Sequence, residues 1–208
     1  MAHKIIIVGI GPGSPDYLIP AAKREIEAAR ILVGSRRALD TFAAPAVETH
    51  IIDSDINGVL TYIKDKLSEA DVVVLVSGDP GFYSMLSAIR RCFDADSVRV
   101  IPGISSTQIA FARISETWQD AQLISMHGRA VSDDALTYAY GKRLGILTDT
   151  KNNPPAIAKT LLSAGWPENT STWVCANLSY PEEQVIPLTL REAADLSGFE
   201  HSVMVVIA

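Results

Sequence analysis

Residues 4–13 read KIIIVGIGPG, a short unbroken apolar run, Ile5–Val8, that delivers the chain straight into the turn Val8–Gly13 (VGIGPG). A run of this length bounded by glycine and proline reads as a buried strand rather than an amphipathic helix. The same arrangement returns at Ser77–Ser84 (SGDPGFYS), Ile101–Ser106 (IPGISS) and Ser125–Arg129 (SMHGR), each following an apolar β-type stretch. One glycine after a strand only shapes a bend. Four such turns in order build a cleft from the carboxyl ends of several strands.

Outward from these turns, the first half alternates strand and helix patterns. Strands are predicted at Lys4–Ile10, Ile31–Gly34, Asp71–Ser77 and Val98–Ile101, with helices at Tyr17–Ala29, Ile56–Glu69, Phe82–Phe93 and Ser105–Arg113. Such alternation predicts an α/β fold with a mainly parallel, helix-covered sheet. The helix at Ile56–Glu69 is the clearest: Ile56, Val59, Leu60, Ile63 and Leu67 share one face, which makes them core. The apolar pattern lapses over Ile114–Asp120 (ISETWQD), which predicts two small α/β domains, residues 1–114 and 115–208. The second half opens with a strand at Ala121–Met126, a helix at Asp133–Tyr140, a strand at Arg143–Thr148 and a helix at Pro155–Ser163. Thr172–Ala176, Glu183–Pro187 and Ser202–Ala208 then read as strands, with a short helix at Leu190–Leu196, so this domain is predicted to carry a mixed sheet.

The chain of 208 residues has a formal charge of −6, and its 18 Lys and Arg are scattered. Neither nucleic acid nor an anionic membrane attracts such a surface, and an acidic ligand would need a local basic patch. Cys92 and Cys175 lie far apart, which predicts ordinary thiols in a reducing compartment. The longest apolar runs, such as Val72–Val76 and Val203–Ile207, are too short to span a bilayer, so the expectation is a soluble cytoplasmic protein.

Glycines 9, 11 and 13 between a strand and a helix invite a dinucleotide reading, but G-x-G-x-x-G requires its third glycine one residue later. The next strand ends in Ser35-Arg36-Arg37, and that arginine pair could meet the 2′-phosphate of NADP. Asp79, at the edge of a buried strand, either caps the following helix or receives ligand hydroxyls or a positive centre. Ser105 and Ser106 carry the same two readings. No G-x-S-x-G elbow is present, and His3, His50, His127 and His201 have neither triad nor metal-ligand spacing. His127 stands out only because it shares a strand-ending loop with Arg129; a structural histidine is its simpler reading.

These motifs, VGIGPG, SGDPGFYS, IPGISS and SMHGR, resemble in order those of the S-adenosylmethionine-dependent tetrapyrrole methylases, along nearly the whole chain. Within that family, Gly34–Leu39 (GSRRAL), Ser125–Arg129 and Asn177–Glu183 (NLSYPEE) are most similar to the cobalamin-pathway members that methylate C5 of cobalt-precorrin-7, or to the N-terminal half of precorrin-6Y C5,15-methyltransferases. The chain is one methylase unit long, so the expectation is the C5 step alone, with the C15-methylating decarboxylase a separate protein. The resemblance implies two α/β domains with S-adenosylmethionine folded into the cleft between them, release of S-adenosylhomocysteine, and a homodimer. It assigns Pro12, Gly78, Asp79, Phe82, Ser105, Ser106, Thr148, Ala176 and His201 to the cofactor. Gly11 and Gly13 go to the substrate trough. The chain departs from many members at Ile19-Pro20, where Leu-Thr is common.

Transfer of a methyl group from a sulfonium needs alignment more than a nucleophile, and orientation alone supplies about 7–11 kcal/mol of such a barrier. The missing dyad therefore fits a methyltransferase and counts against a hydrolase. The corrinoid substrate carries several carboxylates, for which Arg36, Arg37 and Arg129 are the candidate partners, with Arg113 a helix-end surface residue. A methyltransferase, an NADP-dependent reductase and a noncatalytic nucleotide-binding or scaffold protein are the classes open at this point.

Overall fold

The computed structural model describes residues 3–128, 131–199 and 202–208. In the first half, β1 (Ile5–Gly9), β2 (Ile31–Gly34), β3 (Glu48–Ile51), β4 (Val72–Val76) and β5 (Val98–Ile101) form a five-stranded sheet in the order β3-β2-β4-β1-β5. Every pairing in it is parallel, as the alternating pattern predicts. β1 is buried on both faces. Ile5 and Ile7 point to one cluster with Val59 and Ile63 of α3 (Ile56–Lys66) and Ile89 of α4 (Leu86–Cys92). Ile6 and Val8 point to the other, with Ala22 and Ile26 of α1 (Pro20–Glu27) and Leu39 of α2 (Arg36–Phe42). Period-two alternation on one apolar strand thus feeds two helical layers.

Several bounds differ from expectation for local reasons. Pro20 opens α1, and the segment Pro15–Tyr17 ahead of it is a separate 3-10 turn capped by Ser14. α2 and β3 have no counterpart in the predicted elements. α2 buries only Ala38 and Leu39, and β3 alternates weakly at the sheet edge, so neither leaves a periodic signal. α4 begins at Leu86 rather than near Phe82, because Tyr83 takes φ 50°, a left-handed backbone that interrupts a helix.

The second sheet runs β6-β7-β10-β8-β9, built from β6 (Ala121–Ser125), β7 (Arg143–Leu147), β8 (Ser171–Ala176), β9 (Gln184–Thr189) and β10 (Ser202–Ile207). Only β6 and β7 pair in parallel, giving the mixed sheet. α5 (Ser106–Arg113) packs on β7 and β10, while α7 (Pro154–Ser163) and α8 (Leu190–Ala194) share a core with Ile146, Met204 and Val206. α6 (Asp133–Leu136) is shorter than the predicted Asp133–Tyr140; the indole of Trp166 donates to the Leu136 carbonyl where it ends, at 2.7 Å. The chain divides into the units Met1–Ser105 and Ser106–Ala208. That division falls ahead of the expected 114–115, because Ile109, Ala110 and Phe111 of α5 are core residues. No helix of the described residues is long and apolar enough to cross a membrane.

Candidate functional site

Because β1 lies between β4 and β5, the turns that follow these three strands emerge side by side at one edge of the first sheet. The Ile10 N–H donates to the Val76 carbonyl at 2.9 Å and the Gly78 N–H to the Gly11 carbonyl at 2.8 Å, tying the first two turns together. The third closes against them. A Cβ on Gly9 would stand 2.6 Å from the Gly78 carbonyl oxygen and 2.7 Å from the Gly103 nitrogen, and one on Gly103 would run into the same carbonyl. Only glycine fits at 9 and 103, so V-G-I-G and I-P-G are two halves of one backbone crossing.

Asp79 fastens this crossing. One carboxylate oxygen accepts the Gly81 N–H at 2.7 Å and the other the Gly103 N–H at 3.0 Å. Asp79 therefore does not cap α4, whose N-cap Met85 makes no side-chain cap; the Ser84 hydroxyl just ahead of it accepts the Leu86 N–H at 3.1 Å. Phe82 is half-buried, and Tyr83, edge-on to it, is exposed. Ser105 is buried at the end of the third turn, and Ser106 opens α5. Pro12 and Gly13 lie half-buried in the first turn, and Gly11 is buried there. Residues 10–16, 77–85 and 102–105 contain two carboxylates, Asp16 and Asp79, and no Lys or Arg. This edge suits a ligand bearing hydroxyls and positive charge, and is poorly suited to a pyrophosphate.

Arg36 and Arg37 open α2 at the carboxyl end of β2, on the same edge of the sheet, and both are exposed. Ser35 caps that helix, its hydroxyl accepting the Ala38 N–H at 3.3 Å.

In the second unit, the carboxyl ends of β7 and β8 flank the start of β10. The Thr148 hydroxyl donates to the Ser202 carbonyl at 2.8 Å and accepts the Ser202 N–H at 3.1 Å, and Ser202 pairs with Ala176 in register. His127 follows β6, with Nδ1 3.2 Å from the Thr148 carbonyl. The loop carrying it is pinned by Asp149 and Asn152: Gly128 N–H to Asp149 at 2.7 Å, and the Asn152 side-chain amide to the Met126 carbonyl at 2.7 Å. The backbone N–H groups of Asn152 and Gly128 hold the Asp149 carboxyl well below its ordinary value, at about 2. This network escaped the sequence reading, although D-x-x-N before a proline pair is a legible turn. Arg129 and His201, two of the expected site residues, lie outside the described residues.

Glu183 closes the Asn177–Glu183 motif on itself, accepting the Ser179 N–H at 2.7 Å, and it pairs with Arg113 of α5. The Arg113 guanidinium holds its carboxyl below the usual range. Arg113 is thus committed to a structural ion pair. Burial, and then the Glu183 charge, push the Cys175 thiol up to about 12, so that sulfur is inert.

The profile of the family Tetrapyrrole (Corrin/Porphyrin) Methylases matches residues 4–194. The chain belongs to this family. The methylase is 30% identical over 194 residues to the probable cobalt-precorrin-7 C(5)-methyltransferase of Methanocaldococcus jannaschii, covering 92% of each chain. It is 35% identical over 161 residues to the cobalt-precorrin-7 C(5)-methyltransferase of Salmonella typhimurium, covering 77% of this chain and 79% of that one. Among solved structures, its fold matches the uroporphyrin-III C-methyltransferase of Thermus thermophilus in complex with S-adenosylhomocysteine, with TM-score 0.73, 22% identity and coverage of 98% and 91%. Family membership leaves the NADP-dependent reductase without support, in line with the cation-free glycine turns.

Proposed function

We propose that the chain is the S-adenosylmethionine-dependent methyltransferase that adds a methyl group to C5 of cobalt-precorrin-7 or its cobalt-free counterpart. The observation that carries this reading is the likeness along 92% of both chains to a protein named for that step. S-Adenosylmethionine, when bound, supplies an activated methyl group with its leaving group already attached. The protein's part is to hold and align.

The carboxyl edge of the first sheet fits that donor. Asp79 keeps lone pairs on both oxygens after binding Gly81 and Gly103, and a cation-free turn beside it accepts hydroxyls and an ammonium or sulfonium charge. In this reading Pro12, Gly78, Asp79, Phe82, Ser105 and Ser106 serve the donor, Gly11 and Gly13 the macrocycle. Arg36 and Arg37 meet its carboxylates. Basic side chains gain nothing from the dipole at a helix N-terminus, which favours anions. The reading extends to a homodimer with a C15-methylating decarboxylase as its companion, both drawn from the family resemblance, and to the cytoplasmic location expected from the sequence.

Parallel calorimetric titrations test the donor assignment. S-Adenosylhomocysteine is expected to bind at one site per chain and NADP not at all. NADP binding in preference to S-adenosylhomocysteine would return Arg36 and Arg37 to a reductase.

A further inference from the structure

The edge of the first sheet opposite the glycine turns holds a cavity that the methyl-transfer reading leaves unused. Its volume is about 260 Å³, and it lies where α1 ends over the amino ends of β1 and β4. The floor is Ile6 and Val73, partners in register on neighbouring strands and both buried. Ala28 and Ala29 at the end of α1, and Ala70 ahead of β4, form the walls. A hollow remains because the short methyl groups of these alanines stand where longer side chains would close it. It falls below the roughly 300–1,000 Å³ of pockets that take drug-sized ligands, so it admits neither a dinucleotide nor a macrocycle.

Two opposite charges stand at its rim without pairing. Arg30 immediately precedes β2 and Asp71 immediately precedes β4, and the residues that follow them, Ile31 and Val72, are partners in register. Strand alternation turns Arg30 and Asp71 to the face of Leu32 and Val73, the face that α1 covers. Yet no ion pair joins the two, and the Arg30 guanidinium makes neither ion pair nor hydrogen bond among the described residues. Asp71 Oδ1 accepts the Lys4 N–H at 2.8 Å and lies 3.4 Å from His3 Nδ1, which leaves Oδ2 open among the described residues. Glu25, the other acid of the cavity, is already paired with Arg99. Exposed ion pairs contribute little singly, so neither charge alone retains a small ion. A ligand that carries both charges close together, with an apolar body for the floor, engages all three features.

We propose that this cavity binds the zwitterion of a small apolar α-amino acid. Its carboxylate meets Arg30, its ammonium meets Asp71, and its side chain rests on Ile6, Val73 and the alanines. The site lies wholly within the first unit and is independent of the C5 reading.

L-Leucine is the probe, titrated with and without S-adenosylhomocysteine into protein whose alanine methyl groups are labelled with carbon-13. The signals of Ala28, Ala29 and Ala70 are expected to shift together and to saturate at one leucine per chain, with a Kd of about 1 mM or tighter. That Kd should be the same in both titrations, since the donor is held elsewhere. Arg30→Gln and Asp71→Asn should each raise it about three- to tenfold. The asparagine oxygen still accepts the Lys4 N–H, so Asp71→Asn removes charge and keeps the fold. Isoamylamine and isocaproate, which each carry one of the two charges of leucine, should bind more weakly by a similar factor. Alanine methyl signals that stay fixed up to about 10 mM leucine would overturn the assignment. So would an unchanged Kd in either variant, a single-charge analogue that matches leucine, or leucine binding abolished by S-adenosylhomocysteine.

Discussion

At the scale of single residues, Asp79 shows how a side chain expected to face a ligand also builds the surface the ligand would meet. Its two oxygens receive two backbone N–H groups from two different turns. Asp79→Ala is therefore expected to lower stability by about 1–3 kcal/mol, the cost of stranding a half-buried donor at Gly103, with water replacing the contact at exposed Gly81. Asp79→Asn should lose less, since its single amide oxygen can still accept the Gly103 N–H and leaves only the exposed Gly81 N–H to water. Urea unfolding of the three proteins measures this; an Ala variant as stable as the parent would contradict the role of Asp79 at Gly103. Much of this edge was legible beforehand. Glycine, aspartate and serine following apolar runs mark Gly78, Asp79 and Ser105 from the sequence alone, whereas the reach of Asp79 across to Gly103 depends on β1 lying between β4 and β5, which no local pattern states.

At the scale of elements, the turn after β7 orders the loop after β6. Asp149 is the anchor, and its carboxyl is held at about 2 by N–H groups that exist only in the folded turn. A folded-state value below the unfolded one means that the contribution is fully present above the ordinary carboxylate value near 4 and is lost as pH falls toward about 2. Asp149→Asn should accordingly flatten the acid limb of stability between about pH 4 and pH 2 relative to the parent. Thermal unfolding across that range checks it, and parallel curves for the two proteins would show that Asp149 contributes nothing. The elements themselves were readable wherever burial was two-sided or periodic: β1, β4 and α3 stand out as apolar runs or helical stripes. α2 and β3 were not, because a seven-residue helix with two buried side chains and an edge strand carry too few apolar positions to set a period. The start of α4 was misplaced because a left-handed Tyr83 is a decision of tertiary packing, invisible in a sequence where Phe-Tyr-Ser-Met continues a helical pattern.

At the scale of the whole molecule, a chain of net charge −6 is assigned a substrate rich in carboxylates. On the proposed reading long-range attraction does not gather that substrate, and Arg36 and Arg37 are the local cations proposed to meet it, with the cation-free glycine turns proposed for the positively charged donor. The two sheets divide by type: an all-parallel one with its turns collected at a single edge, and a mixed one whose β10 brings Thr148 and Ala176 together. The central claim is that this architecture adds one methyl group at C5. The measurement that meets it most directly is incubation of the purified protein with cobalt-precorrin-7 and S-adenosylmethionine labelled with carbon-13 in its methyl group, followed by mass and NMR analysis of the corrinoid. The account predicts a product heavier by a single labelled methylene unit, every carboxyl retained, with the labelled carbon attached to C5. A label at another position, a second methyl group with loss of carbon dioxide, or no transfer by protein shown to bind S-adenosylhomocysteine would contradict it.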